Sequence, residues 1–517
     1  VAPAPGAGAE EVSPMMDADQ TVLPVIGLEI HVELATATKM FCRCRNRFGD
    51  EPNTNVCPVC LGLPGALPVM NRRAVELASR VAAALDCRLA AFTKWDRKSY
   101  WYPDLPKNYQ ISQYDLPLGA GGYLDVPLAD GQVKRVRIRR AHLEEDAGKN
   151  VHDLAGRAGG AGHTGVDLNR AGVPLLEIVS EPDINGAEEA GAYARAMQRL
   201  VRWVGASEAN MQMGHMRFEP NVNLHVTRDG RTCKTPIVEV KNLNSFRSLE
   251  RAIAYEIARQ LAEWQADREG YSLEKLGKQN RGWDDEAGAT VFQREKEESH
   301  DYRYFPDPDL VPVVADEAQR AAAPASVGEL PLARRARYMG DYGLTAKEAD
   351  ALTADGPTGD LLDAAVAAGA DAKRCANLLL NRGAAIANER GCSIAEIGLT
   401  AEALAELAGM LAAGDVSATA AARVFEAMLD GSRPPREIAA GEGLLAVRDA
   451  GAIEAWVDAA IADNPAAVAE VRGGGKKQKK AFGFLMGQVM QRSGGAAAPA
   501  EVQRLLRAKL GGGEGGA

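Results

Sequence analysis

Glu29, His31 and Glu33 occupy alternate positions in the stretch Val25-Ile-Gly-Leu-Glu-Ile-His-Val-Glu-Leu34. In an extended strand, residues two apart share a face. Two carboxylates and an imidazole therefore line one side, opposite Leu28, Ile30, Val32 and Leu34, which suit a core. Such a polar face is either simply wet or it binds something. Hard divalent cations take oxygen ligands, and imidazole is the commonest nitrogen ligand. The pattern recurs downstream. From Val133 to Asp146, the even positions Val136 and Ile138 lead into Arg140, His142, Glu144 and Asp146, with Arg139, Leu143 and Glu145 on the other face. Glu177 lies in the apolar end of Asp167–Val179, where an ionised carboxylate is costly unless it is paired or bound to a cation. Arg217, Glu219, Asn221, Asn223 and His225 alternate with apolar residues, and Glu239 and Lys241 repeat the theme. One such residue means little. Glu29, His31, Glu144, Glu177, Glu219 and Glu239 together predict a site for more than one divalent metal.

A second chemistry is sulfur-based. Cys42-Arg-Cys44 is followed, after twelve residues, by Cys57-Pro-Val-Cys60. Two closely spaced pairs suit a tetrahedral zinc ion, and four thiolates leave no open coordination position, so the expected role is structural. A third signal is the run from Lys94 to Tyr109, rich in aromatics, cations and prolines. It reads as an ordered loop able to hold a nucleotide, with ring faces for the base and Arg97, Lys98 or Lys107 for phosphates. A well-packed surface loop is the competing reading of that run. A fourth is Arg472-Gly-Gly-Gly-Lys-Lys-Gln-Lys-Lys480. Lys476, Lys477, Lys479 and Lys480 suit a phosphate backbone without base readout, or a solubilising loop.

The elements that must position these residues follow from periodicity. Asn71 caps an amphipathic helix carrying Val75, Ala78, Val81, Ala82 and Leu85, and further helices are expected near Ala187–Val204 and Phe246–Trp264. Strands with one apolar and one polar face fit an antiparallel sheet with helices on one side, an α+β arrangement. After Asp301-Tyr-Arg-Tyr-Phe-Pro-Asp-Pro-Asp309 the composition turns Ala- and Leu-rich with helical spacing, as in Leu361–Val366 and Leu404–Leu411. The expected divisions are a leader over 1–20, an α+β domain over 21–314 with the cysteine knuckle at 42–60, a linker over 315–345, a helical domain over 346–430, a basic tail over 431–511 and a glycine-rich end over 512–517.

The chain has 517 residues, a net charge of −10 and an ordinary 46% hydrophobic content, which allows several cores. No apolar run approaches the ~20 residues of a membrane span, so the expected setting is the cytoplasm and no membrane is expected as a partner. Val1–Pro14 has neither the basic flank nor the apolar centre of a targeting signal. Eight cysteines with four clustered favour metal over a disulfide framework. Acidic net charge argues only weakly against nucleic acid when basic residues cluster locally.

Val25–Leu34, Asp96–Gln113, His142–Lys149, Asp167–Ile178, Lys241–Phe246 and Tyr302–Asp309 together resemble the B subunits of the tRNA-dependent aspartyl/glutamyl amidotransferases, from about Thr21 to Leu510. The resemblance implies a cradle domain related in fold to the catalytic domain of glutamine synthetase. It also implies a helical domain ending in a YqeY-like tail that contacts tRNA, where Lys476–Lys480 falls. By motif it implies magnesium ligands Glu29, His31, Glu144 and Glu177, with Glu145 a competitor of Glu144, and the same residues as the catalytic set. Lys241 joins Arg97, Lys98 and Lys107 as an expected ATP contact. The four cysteines match a zinc site that some members have. One departure is Glu219, followed by Pro220, where the family motif carries Asp. The implied activity is ATP-dependent amidation of Glu-tRNA(Gln) or Asp-tRNA(Asn). No Ser-rich amidase signature is present, so ammonia must come from a glutaminase. The implied partners are the amidase and the small subunit of a heterotrimer. The archaeal E-type subunits are further relatives, with an inserted domain for which this chain has no room. Two other readings remain at this point. One is a stand-alone carboxylate–ammonia ligase, which leaves the basic tail unexplained. The other is a non-catalytic zinc-containing RNA scaffold, which leaves the acidic face unexplained.

Overall fold

A computed structural model describes residues 20–151, 164–295, 302–431, 433–446, 449–473, 477–494 and 497–511. The chain divides into two compact units, 1–330 and 331–517.

The first unit is built on a ten-stranded sheet. Its main elements are β1 (Gln20–Glu33), α1 (Arg72–Ala84), β2 (Asp96–Ser99), β3 (Tyr109–Ser112), β4 (Gly119–Pro127), β5 (Val133–Glu145), β6 (Pro174–Ser180), α2 (Ala187–Trp203), β7 (Met216–Arg228), β8 (Ile237–Lys241), α3 (Phe246–Ala266), β9 (Lys278–Asp284), β10 (Ala289–Glu295) and β11 (Phe305–Pro306). The sheet runs β10-β9-β8-β7-β1-β6-β5-β4 and ends on the two-residue strand Arg88–Leu89, with Arg231–Lys234 paired to β7. β1 lies at its centre, between β6 and β7. Ile26, Leu28, Ile30, Val32 and Leu34 are all fully buried and pack with Leu77 and Val81 of α1, Tyr193 and Met197 of α2, and Leu249 and Ile253 of α3. The helices thus cover one face, and the polar face is left for the site.

The helices start where their caps put them. Asn71 accepts hydrogen bonds from the amides of Arg73 and Ala74 to open α1, and Ser245 accepts from Ser248 N to open α3. Three features differ from the sequence expectation. The sheet is mixed, because β8 and β9 pair in parallel; α3 lies between them as the crossover that parallel neighbours require. The Lys94–Tyr109 run is not a loop throughout: β2 pairs with β3 and with β11, making a small sheet of its own. In β5, Val136 and Ile138 do not share a face with His142 and Glu144. Arg139 is an extra residue relative to β6, where the register shifts between Val179 and Ser180. This bulge exchanges the faces, so that Val136, Ile138, Ala141 and Leu143 all enter the core.

The expected linker, 315–345, is largely helical. Glu317–Val327 opens with a capping box from Asp316 and Gln319, and Val327 and Leu330 pack on the core of the first unit. Pro331–Gly340 belongs to the second unit. That unit is all helical over the described residues, with two cores. One runs from Tyr338 to Leu444 and the other from Ile453 to Leu510. The apolar periodicities over 361–366 and 404–411 lie in Gly356–Ala367 and Ala401–Ala413. No helix among the described residues is long and apolar enough to cross a membrane.

A carboxylate and imidazole cavity on the sheet, and a four-cysteine knuckle beside it

Cross-strand register assembles the cavity. His31 stands opposite Glu177 on β6, and Glu177 stands opposite His142 on β5. On the other side of β1, His31 faces Arg217 and Glu29 faces Glu219 on β7. Asn221 faces Glu239, which in turn pairs with Asn280. The site residues project from the face opposite the helices and line one cavity of about 860 Å³. Lys98, Tyr100, Tyr114, Tyr302 and Tyr304 form another part of its wall.

Two groups of ligand-type atoms converge there, His31–Glu144–Glu177 and Glu29–Glu219–Glu239, each with its atoms within 4.8 Å of one another. In the first, His31 Nε2 lies 3.6 Å from Glu144 Oε1 and 3.6 Å from Glu177 Oε2, and His142 Nε2 lies 3.3 Å from Glu177 Oε2. Burial opposes the imidazolium of His31. The hydrogen bond and charge of Glu177, with Glu219 and Glu144, outweigh it and push His31 up to about 9. Burial also opposes the Glu177 carboxylate, but His142 and His31 hold it well below the ordinary range. Glu144 is raised, first by burial and then by the Glu177 charge. Glu33, further along β1, is pushed up to about 7 by burial and by Asp146.

This first group fits a small cation. Donors around an octahedral ion with bonds of about 2.1 Å stand roughly 3.0–4.2 Å apart, a range that includes both 3.6 Å separations. The Nδ1 atoms of His31 and His142 are buried with no hydrogen-bond partner. The second group already holds a positive charge: Lys241 Nζ lies 2.7 Å from Glu219 Oε2 and 2.9 Å from Glu239 Oε1. Burial disfavours both charges, yet Lys241 keeps Glu219 far below the usual carboxylate range. Asn221 Nδ2 donates to Glu29 Oε1 at 3.0 Å.

The structure separates residues that sequence had grouped. Glu144 and Glu145 are neighbours on a strand, so they face opposite ways. Glu144 is in the cavity, whereas Glu145 lies on the other side, bonded to Lys107 and accepting from Ile111 N at 2.9 Å. Arg97 and Lys98 split for the same reason. Lys98 lines the cavity and lies 5.1 Å from the Tyr302 ring centre. Arg97 is instead held by Asp307 at 2.8 Å and Asp309 at 3.1 Å, over the Tyr109 ring. Of the four expected phosphate cations, Lys98 and Lys241 reach the cavity, while Arg97 and Lys107 are committed to carboxylates elsewhere.

Sequence reasoning missed a second fork of charge at the cavity edge. Arg217 grips Asp146 with two bonds of 2.9 and 3.0 Å, and Arg170 approaches the same carboxylate at 3.4 Å. Arg170 also donates to the carbonyls of Ala147 and Gly148. Asp146 and Arg217 each stand on a polar face in the sequence, but their pairing depends on the strand order β5-β6-β1-β7, which alternation does not reveal.

The four cysteines do converge, with sulfur atoms within 4.8 Å of one another. Cys57 and Cys60 are 3.9 Å apart at sulfur, and the Cys57 amide donates to Cys60 Sγ at 3.1 Å. Tetrahedral zinc with bonds of about 2.3 Å sets neighbouring sulfurs roughly 3.8 Å apart. The cluster can therefore hold a metal. In the second unit, Lys477, Lys479 and Lys480 are exposed at the start of the helix Gln478–Arg492. Lys476 lies outside the described residues.

Fold and site together define a two-part protein, an α+β domain carrying an acidic cavity lined by carboxylates and imidazoles, and an all-helical region. The GatB/GatE catalytic domain matches residues 24–321 and the GatB domain matches residues 360–510. The chain is 45% identical over 487 residues to the B subunit of the aspartyl/glutamyl-tRNA(Asn/Gln) amidotransferase of Rhodopirellula baltica, covering 94% of this chain and 96% of that protein. It is 44% identical to the same protein of Carboxydothermus hydrogenoformans (94% and 98% covered) and 46% identical to that of Halorhodospira halophila (94% and 99% covered). The chain belongs to the family of amidotransferase B subunits.

Proposed function

We propose that the chain activates and amidates the side-chain carboxylate of misacylated Glu-tRNA(Gln), Asp-tRNA(Asn) or both, in a heterotrimer with an amidase and a small third protein. The observation that carries this reading is the cavity, where Glu29, His31, Glu144, Glu177, Glu219 and Glu239 face one space from five adjacent strands. Neither a scaffold nor a simple RNA-binding module has use for so costly a surface.

A carboxylate is a poor electrophile. One of its oxygens attacks the γ-phosphorus of ATP, the bond to the β-phosphate oxygen breaks, and ADP leaves with that electron pair. The acyl phosphate so formed has a good leaving group. Ammonia supplied by the amidase adds to the carbonyl carbon, phosphate departs, and loss of a proton leaves the amide. Phosphoryl transfer depends chiefly on positioning and charge compensation. In this reading Lys98, which lines the cavity, meets phosphate oxygens, Lys241 does so from its pair with Glu219 and Glu239, and the aromatic wall around Lys98 takes the base. His31, Glu144 and Glu177, with Glu29 nearby, would hold magnesium, which when bound would neutralise phosphate charge. Asp146, Arg170 and Arg217 form a rigid edge that orients the bound carboxylate.

Zinc at Cys42, Cys44, Cys57 and Cys60 has a structural role in this reading. Lys477, Lys479 and Lys480, with Lys476, meet tRNA phosphates. Three cations at a helix N-terminus oppose the helix dipole, an arrangement that an anionic partner would offset. The test is reconstitution with the amidase and small subunits, glutamine, ATP and each misacylated tRNA. Amide formation on at least one tRNA, dependent on ATP, is expected. Amidation that needs neither ATP nor this chain would overturn the reading.

A further inference from the structure

Lys39 is fully buried. Its ammonium donates to Leu168 O at 3.3 Å and to Cys60 Sγ at 3.7 Å. A buried lysine charge is costly without an anion beside it, and a backbone carbonyl provides only a dipole. The sulfur is the partner that can carry the compensating charge. Four thiolates around a divalent zinc ion leave a net charge of −2, which is itself unfavourable inside a protein.

We propose that Lys39 is the internal counter-cation of the four-cysteine metal centre, a positioning residue that stabilises the loaded site and is stabilised by it. The proposal rests on the zinc reading given above. Its geometry also explains how the knuckle is tied to the cavity. Leu168 precedes Arg170 by two residues, in a turn bound to the loop between the two cysteine pairs. Asn53 Nδ2 donates to Val166 O at 3.0 Å, Leu168 N donates to Asn53 Oδ1 at 2.8 Å, and Asn169 Nδ2 donates to Glu51 O at 2.7 Å. Lys39 adds a bond to this turn from the metal side. Its backbone belongs to the knuckle as well, with its amide donating to Cys44 O at 3.0 Å. The metal centre, the turn and Arg170 are thereby one connected structure.

A purely space-filling Lys39 and a counter-cation make different predictions about a pair of linked changes. The experiment compares the full-length wild type with Lys39→Met, Lys39→Gln and Lys39→Arg, each with zinc and after its removal by a chelator. Zinc affinity, read by competition with a chromogenic chelator, is expected to fall tenfold or more in the Met and Gln variants and to stay within a few-fold in the Arg variant. Zinc removal is expected to lower the melting temperature more in the wild type than in Lys39→Met, because only the wild type keeps a buried ammonium whose compensation falls from a doubly negative zinc centre to the Cys60 sulfur alone. Should Lys39→Met fail to fold, the Gln and Arg variants carry the same comparison. Equal zinc affinity in wild type, Gln and Arg variants, or an equal drop in melting temperature on zinc removal with and without the charge, would overturn the role of Lys39 while leaving the zinc site in place. A wild type that takes up no zinc would overturn both.

Discussion

At the scale of single residues, adjacent side chains on one strand have opposite fates, and this can be tested on Glu144 and Glu145. Glu144→Gln keeps shape and removes a charge from the cavity, so the protein should fold while ATP-dependent amidation falls by about two orders of magnitude or more. Glu145→Gln breaks the buried pair with Lys107, whose side chains are 4% and 9% exposed. Breaking such a pair costs about 3–5 kcal/mol, so denaturant unfolding should show its main effect on stability. If both variants fold equally well and lose activity equally, the division between them is wrong. His31 gives a pH dependence. Its pKa is raised from 6.5 to about 9 in the metal-free protein, so the folded state holds a proton that the unfolded chain releases at lower pH. The stabilisation is full below pH 6.5 and is lost as pH rises through about 9. Melting temperatures of magnesium-free wild type and His31→Gln should therefore differ most at the acid end of that window and converge above it. Apparent magnesium affinity should rise over the same window, because metal displaces that proton.

At the scale of elements, the four-cysteine knuckle is expected to stabilise the first unit. Cys57→Ser, or chelation of the wild type, should lower the melting transition of that unit and leave the helical region's transition in place; a single unchanged transition would contradict this. How much was legible varied with how local the determining physics was. β1 could be read because its alternation answers to one core, with Leu28, Ile30 and Val32 buried behind Glu29 and His31. The caps at Asn71 and Ser245 were similarly local. The bulge at Arg139 was not legible, since an extra residue is defined only against the register of a partner strand. Four-residue strands such as β2 and β3 are too short for periodicity to show, so Arg97 and Lys98 looked equivalent when they face apart. Tyr302 and Tyr304 reach the cavity because β11 returns to pair with β2, a contact between segments some two hundred residues apart in sequence. The parallel β8–β9 pair likewise depended on where α3 crosses.

At the scale of the whole molecule, the proposed function assigns the acidic cavity and the basic helix start to one substrate, a misacylated tRNA. Replacing Lys477, Lys479 and Lys480 by Ala should weaken tRNA binding and reduce the log–log salt slope by up to about 0.7–0.9 per lost phosphate contact. ATP hydrolysis without tRNA should change little. An unaltered affinity and slope would return these lysines to the solvent. Whether the carboxylates of the sheet perform the activation step is decided most directly by one measurement. The Glu29→Gln/Glu144→Gln double variant, assembled with the amidase and small subunits, is supplied with glutamine, ATP, magnesium and misacylated tRNA. The complex should still release ammonia from glutamine and bind tRNA, yet form neither ADP in step with tRNA nor the amide. A double variant that converts Glu-tRNA(Gln) or Asp-tRNA(Asn) at near the wild-type rate would contradict catalysis by this face of the sheet.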